Sequence, residues 1–176
     1  MIRYPVGKSE APVDAITFLN SDHVAVEGLF AQFKALADVS NPAHETKRTL
    51  ARKICALLNV HTQVEEELFY PAVRESLGLD ASALMEGASV EHALCSKLIS
   101  QIESMEPLDH RYEARVIVLG DYIERHIKEE ERAIFSKMRK ANFDSVGLAH
   151  ELAIRKHELL SDYSRRKNSH STNAFA

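Results

Sequence analysis

The sequence is poor in the residues that make tight turns. Its 176 positions hold 6 Gly and 5 Pro, about 6% together where about 12% is usual. Sheets joined by short turns consume both residues, so an all-β or turn-rich α/β fold is disfavoured. Cysteine is equally scarce. Cys55 and Cys95 are a lone pair in a chain large enough to fold without a disulfide, which points to a reducing compartment. A basic excess is missing too: 22 Lys and Arg face 26 Asp and Glu, for a net charge of −4. A broad cationic face for nucleic acid therefore has little support. The longest aliphatic run, Val116-Ile117-Val118-Leu119, is far below the ~20 residues of a membrane span. Residues 1–14 carry no apolar stretch of the signal-peptide kind. The expectation is a soluble, cytoplasmic protein with no nucleic-acid or membrane partner. What is present is 45% hydrophobic and 27% charged, enough for one sizeable core under a mixed-charge surface.

The few prolines are spaced. Pro12, Pro42, Pro71 and Pro107 recur at intervals of roughly 30 residues, and proline belongs at helix ends rather than in helix interiors. Each stretch between them carries a stripe stepping by three and four. The first is Ile16, Leu19, His23, Val26, Phe30 and Phe33; the second is Leu50, Ile54, Leu57, His61, Glu65 and Leu68. The third is Leu84, Ala88, His92, Cys95, Ile99 and Ile102; the fourth is Tyr112, Val116, Leu119, Ile123, His126, Glu130 and Ala133. This is helical periodicity with a buried seam. It predicts an all-α fold, an up-down-up-down four-helix bundle over residues 13–141. Val146, Ala149, Leu152, Ala153, Leu159, Leu160 and Tyr163 predict an additional C-terminal helix over 142–166. That helix either caps the bundle or makes a homodimer contact. Residues 1–12 and 167–176 read as polar tails.

The seams contain an anomaly. Each places a His where a bundle wants Leu, and two add a Glu one turn later. Such groups cost several kcal/mol to bury unless they are paired, hydrogen-bonded or bound to metal. Their depths agree. His23 is 11 residues after Pro12 and His61 is 10 before Pro71; His92 is about 12 after a start near Asp80, and His126 about 14 before a break near Lys140. At ~1.5 Å per residue all four lie roughly 15–21 Å from one end, in a single layer.

His-x-x-x-Glu places an imidazole and a carboxylate on one helix face. As a string it is weak: nine His and 18 Glu give about one match by chance, and three are present. Two of them, His61 with Glu65 and His126 with Glu130, sit in the seam; in the third, His23 with Glu27, Glu27 falls beside it and reads as exposed or supporting. The halves also repeat. His61 to Tyr70 aligns with His126 to Phe135, both with Glu at the fourth and fifth places after the His and an aromatic at the ninth. Each is preceded by an acid-His pair, Asp22-His23 and then Glu91-His92. The duplication predicts a pseudo-twofold site with two metals.

Asp-His, His-x-x-x-Glu-Glu with Phe69-Tyr70-Pro71, Glu-His and a second His-x-x-x-Glu-Glu together resemble the hemerythrin-like family of HHE cation-binding domains, over roughly residues 13–140. The resemblance implies a non-haem di-iron centre. His23 and His61 would hold one iron, His92 and His126 the other. Glu65 and Glu130 would bridge them, with an oxo, hydroxo or water ligand completing the bridge. Imidazole and carboxylate ligands suit iron, with manganese or zinc as the less favoured fits. Two departures from the oxygen carriers count. Ser96 stands where they place a further His, and Glu131 where they place a bridging Asp. Glu130 matches the bacterial HHE and iron-centre-repair types instead. A more open iron follows, suited to redox chemistry or sensing rather than oxygen storage.

Bland readings apply elsewhere. Cys95 reads as core, and Phe69, Tyr70 and Phe135 as packing at the bundle end. Tyr122 reads as packing or as a hydrogen-bond donor to a bound ligand. Asp22 and Glu91 are candidates to orient imidazoles, and Ser96 to border the open site. His44, His110, His150, His157 and His170 fall outside the layer. No His-Glu-x-x-His, phosphate loop or nucleophile elbow is present, and no His has Glu three residues before it, which excludes the ferritin pattern. Three functions remain. They are a di-iron protein that binds or senses O2 or NO or handles iron, a redox enzyme acting on peroxide or NO or repairing iron centres, and an interaction module with a structural metal.

Overall fold

The computed structural model describes residues 13–37, 44–106 and 109–172. Among these no strand occurs. Helix α1 spans Ala15–Ala37, α2 His44–Val64, α3 Tyr70–Leu77, α4 Ser82–Ser104, α5 Tyr112–Glu130, α6 Ser136–Met138 and α7 Ser145–Thr172. A single wide π turn, Glu65–Phe69, joins α2 to α3, and a second, Glu131–Phe135, joins α5 to α6. The result is five rods: α1, α2–α3, α4 and α5–α6 form the up-down-up-down bundle, and α7 packs along α1 and α2. No helix is long and apolar enough to cross a membrane.

Local chemistry sets the ends. Asp14 caps α1, its Oδ1 accepting from the backbone of Ile16 at 2.9 Å and of Thr17 at 3.0 Å. Asp144 does the same for α7 through Gly147 N–H at 2.8 Å. Ser145 Oγ accepts from Ala15 N–H at 3.2 Å, tying the two starts together. Gly78, at φ 64°, ends α3 in the left-handed region that favours glycine.

Three expectations change. Pro71 does not mark a corner: the rod continues through it to Leu77, and the corner is Gly78–Ala81. The wide turn before it explains why, since Tyr70 N–H already reaches back five residues to Glu65 O, and Pro71 falls where the i−4 ladder is open. Pro12, Pro42 and Pro107 lie outside the described residues, as does the side chain of His170. The extra residue in each wide turn also rotates the seam. Phe69 and Ile134 are buried, whereas the expected Leu68 and Ala133 are only partly so. Finally, α7 continues to Thr172 and buries Ala149 and Leu152, but Val146 and Ala153 face solvent.

The core has two parts. One apolar cluster, around Leu19, Phe69, Val73, Met85, Phe135 and Leu152, fills the end with the wide turns. The other, around Phe33, Ile54, Leu58, Ile99 and Leu119, fills the opposite end. Full burial of such side chains contributes ~1.5–3 kcal/mol each. Between the two clusters lies a polar layer.

Candidate metal centre

The layer is built by His23 from α1, His61 from α2, Glu65 from the first wide turn, His92 from α4, and His126 and Glu130 from α5. All six are buried, none more than 4% exposed. Ligand atoms of His23, His61, Glu65 and Glu130 lie within 4.8 Å of one another, and so do those of Glu65, His92 and His126. The two groups share Glu65, whose Oε1 is 3.1 Å from His61 Nε2 and whose Oε2 is 3.4 Å from His92 Nε2. Glu130 Oε2 is 3.4 Å from His23 Nε2. Within each half the imidazoles meet through their Nε2 atoms, His23 with His61 at 3.2 Å and His92 with His126 at 3.2 Å.

The outer ring nitrogens explain this orientation. His23 Nδ1 faces Glu131 Oε1 at 3.0 Å, His92 Nδ1 faces Glu66 Oε1 at 3.1 Å, and His126 Nδ1 faces Glu91 Oε2 at 2.7 Å. His61 Nδ1 and Asp22 Oδ2 face one another at 3.7 Å. A carboxylate at Nδ1 holds the ring proton there and turns the Nε2 lone pair inward. Three such lone pairs, from His23, His92 and His126, therefore converge on the two carboxylates, and His61 Nε2 meets them at 3.1 Å from Glu65. None of the four oxygens of Glu65 and Glu130 has a hydrogen-bond partner. Buried acceptors that face only acceptors repel one another unless a cation lies between them. The donor set fits a pair of such ions.

Electrostatics agree. Burial, then the nearby Glu130, pushes the Glu65 carboxyl well above its usual range. Burial opposes the Glu130 charge too, but His23, His126 and His61 outweigh it and hold Glu130 down, to about 2. The two adjacent buried carboxylates thus resist carrying their charges side by side without a cation between them. Burial, then His126, lowers His92 to about 3, and burial lowers His61. His23 is raised, because Glu130 and then Glu131 overcome its burial.

The supporting residues divide. Asp22 and Glu91 occupy the expected places at His61 and His126. Glu27 instead faces solvent, one position off the α1 seam. Ser96 is exposed on the wall of a large cleft. Tyr122 turns away from the layer, its ring under the Arg125 guanidinium at 4.9 Å.

Four residues were missed. Glu66 and Glu131 carried a signal, being the second Glu of each His-x-x-x-Glu-Glu repeat. Tyr70, read as packing, brings its hydroxyl to 3.3 Å from His92 Nε2 and stacks on that ring. Burial, then Glu65 and Glu130, raises its phenol well above 10, so it keeps its proton. Lys156 of α7 donates to Asp22 Oδ1, a contact over 134 positions that no local pattern announces. Cys95 is core as expected, and His44, His110, His150 and His157 are exposed.

The hemerythrin HHE cation binding domain matches residues 14–138. A hemerythrin HHE cation binding domain-containing protein from Mycobacterium kansasii, known from its crystal structure, superposes with a TM-score of 0.70 at 22% identity, over 85% of this chain and 89% of that one. A curated DNA nickase of Nostoc sp. is 26% identical over 134 residues, 76% of this chain but 36% of the nickase. The chain thus spans about a third of that relative's length.

Proposed function

The chain belongs to the hemerythrin HHE cation binding family, and from that premise we propose that it is a non-haem di-iron protein whose centre binds a small ligand such as O2, NO or peroxide. One observation carries the reading: four imidazole Nε2 atoms and four unpartnered carboxylate oxygens converge in a layer between two apolar clusters. His23 and His61 would hold one ion, His92 and His126 the other, with Glu65 and Glu130 between them. Nitrogen and oxygen ligands without thiolate favour iron over softer metals. Iron in such a site supplies reversible redox chemistry and open positions for diatomic ligands.

The residues around it do the rest. Glu131, Glu66 and Glu91 fix the tautomers of His23, His92 and His126, and Asp22 stands 3.7 Å from His61 Nδ1. Tyr70 offers a phenolic proton at the His92 side, and the two apolar clusters close the layer toward the two ends of the bundle. The nicking activity named for the Nostoc relative is not carried over, because most of that protein has no counterpart in this chain and the net charge of −4 offers DNA no broad cationic surface. A redox enzyme at the same centre is the second reading, favoured by the phenol of Tyr70 beside the cluster. Turnover of peroxide or NO separates it from a binding or sensing role. Protein purified from iron-supplemented cells is expected to hold about two irons per chain by elemental analysis. Glu65→Ala is expected to hold close to none while circular dichroism stays helical. Full folding with near-zero iron in the unaltered protein would end the proposal.

A further inference from the structure

The site is pseudo-twofold in its ligands but not in its surroundings. The duplication equates α1 with α4 and the α2–α3 rod with the α5–α6 rod, so each opening near one half has a counterpart near the other. Between α2 and α4, with α7 as its third wall, lies a cleft of about 1460 Å³ lined by Ser89, Ala93, Ser96 and Glu66 and reaching His92 and Tyr70. Its counterpart, between α5 and α1, is packed in the apolar cluster beyond the layer. There Gly120 lets the Phe30 ring come so near that a Cβ on Gly120 would stand 2.9 Å from it, and Lys34 bridges to Asp121 at 3.0 Å. A second cleft of about 210 Å³ between α4 and α5 reaches His126 and Glu130. Its counterpart, between α1 and α2, lies under α7, where Leu152 is buried and Lys156 holds Asp22.

Both openings therefore serve the His92–His126 half, and α7 covers the α1–α2 face of the His23–His61 half. We infer that an exogenous ligand reaches the centre from one side, through the α2–α4 cleft, and binds at the His92–His126 half. The cleft also states a charge class. Arg52, Arg74 and Arg155 are balanced by Glu66, Glu67, Glu103 and Asp162 along its walls, so it concentrates neither anions nor cations. The ligand it admits is small and uncharged, such as nitric oxide, dioxygen or hydrogen peroxide. Once inside, it meets the Tyr70 hydroxyl as a hydrogen-bond donor.

The inference rests on the di-iron reading and is tested on iron-loaded protein with nitric oxide as probe. Binding is followed by stopped-flow absorbance, and iron content is measured in every sample. Ser96→Trp and Ala93→Trp place an indole in the large cleft at exposed helical positions. Each is expected to slow nitric oxide binding at least tenfold with iron content unchanged. Ala83→Trp, in the small cleft, is expected to stay within twofold of the unaltered protein. Unchanged rates in both cleft variants at full iron content would overturn the one-sided route. A tenfold slowing by Ala83→Trp alone would overturn the choice of cleft. Unaltered protein that lacks iron, or holds it without responding to nitric oxide, would overturn the di-iron reading instead.

Discussion

The two halves of the polar layer have the same ligands and different settings. His23 and His92 occupy equivalent places, each with its Nδ1 on the second Glu of the other half's repeat. Yet the Glu130 charge overcomes burial at His23 and raises it, whereas burial, then His126, lowers His92 to about 3. Likewise Glu91 bonds His126 at 2.7 Å, while Asp22 stands 3.7 Å from His61 and is held by Lys156 on its other oxygen. Duplication supplies the ligands, and packing makes their halves unequal. The helix outside the bundle contributes to the difference, since Lys156 of α7 holds Asp22.

The largest expected effect that sharpens this contrast is in acid, on metal-free protein. His92 is depressed on folding, so its neutral burial contributes stability that is complete above about 6.5 and is lost as pH falls toward about 3, at no more than about 1.4 kcal/mol per pH unit. His23 is raised, so its contribution runs the other way: present in acid and lost as pH rises through its folded value. Urea titrations between pH 7 and pH 4 are expected to show a shallower loss for His92→Asn and a steeper one for His23→Asn. Equal slopes would mean that the halves are electrostatically alike.

Next in size is the support of the outer imidazoles. Glu91→Ala removes a 2.7 Å bond to His126 and is expected to weaken metal retention 10- to 100-fold, read as the rate of release to a chelator. Asp22→Ala, acting over 3.7 Å, is expected to cost less. The reverse order would put the tighter support on the half that α7 covers. Smaller again are the glycines. Gly120→Ala forces α5 off Phe30 and is expected to destabilise by about 1–3 kcal/mol. Gly87→Ala, on the open side with no atom within 4 Å of the added carbon, is expected to stabilise by ~0.5–1 kcal/mol through helix propensity. Thermal denaturation of the two variants checks both signs.

Much of the site was legible because its information is local. A helix repeats every 3.6 residues, so a His or Glu in a hydrophobic stripe announces its own inward direction. His23, His61, Glu65, His92, His126 and Glu130 all rest on that rule, whereas the depth count for His61 started from Pro71, which is not the corner. The same rule misplaced Leu68 and Ala133, because a π turn adds one residue and no residue type marks it. Tyr70 was misread for that reason: the wide turn carries the ninth residue after His61 from the bundle end into the layer.

The stripe periods and the scarcity of Gly and Pro pointed to an all-α bundle, and the duplicated His-x-x-x-Glu-Glu carried the resemblance to the family whose domain matches residues 14–138. The order of charges along the chain also contained the partners Glu66, Glu131, Glu91 and Asp22, as neighbours of the ligands they do not themselves serve. Which imidazole each one meets depends on helices 26 to 108 positions apart, and only tertiary packing decides that. The same holds for sidedness. Lys156 reaching Asp22, α7 lying over α1 and α2, and Phe30 settling on Gly120 are long-range contacts that no period along the chain encodes. Local sequence could repeat a half-site, but only the packed molecule could leave one half open and cover the other.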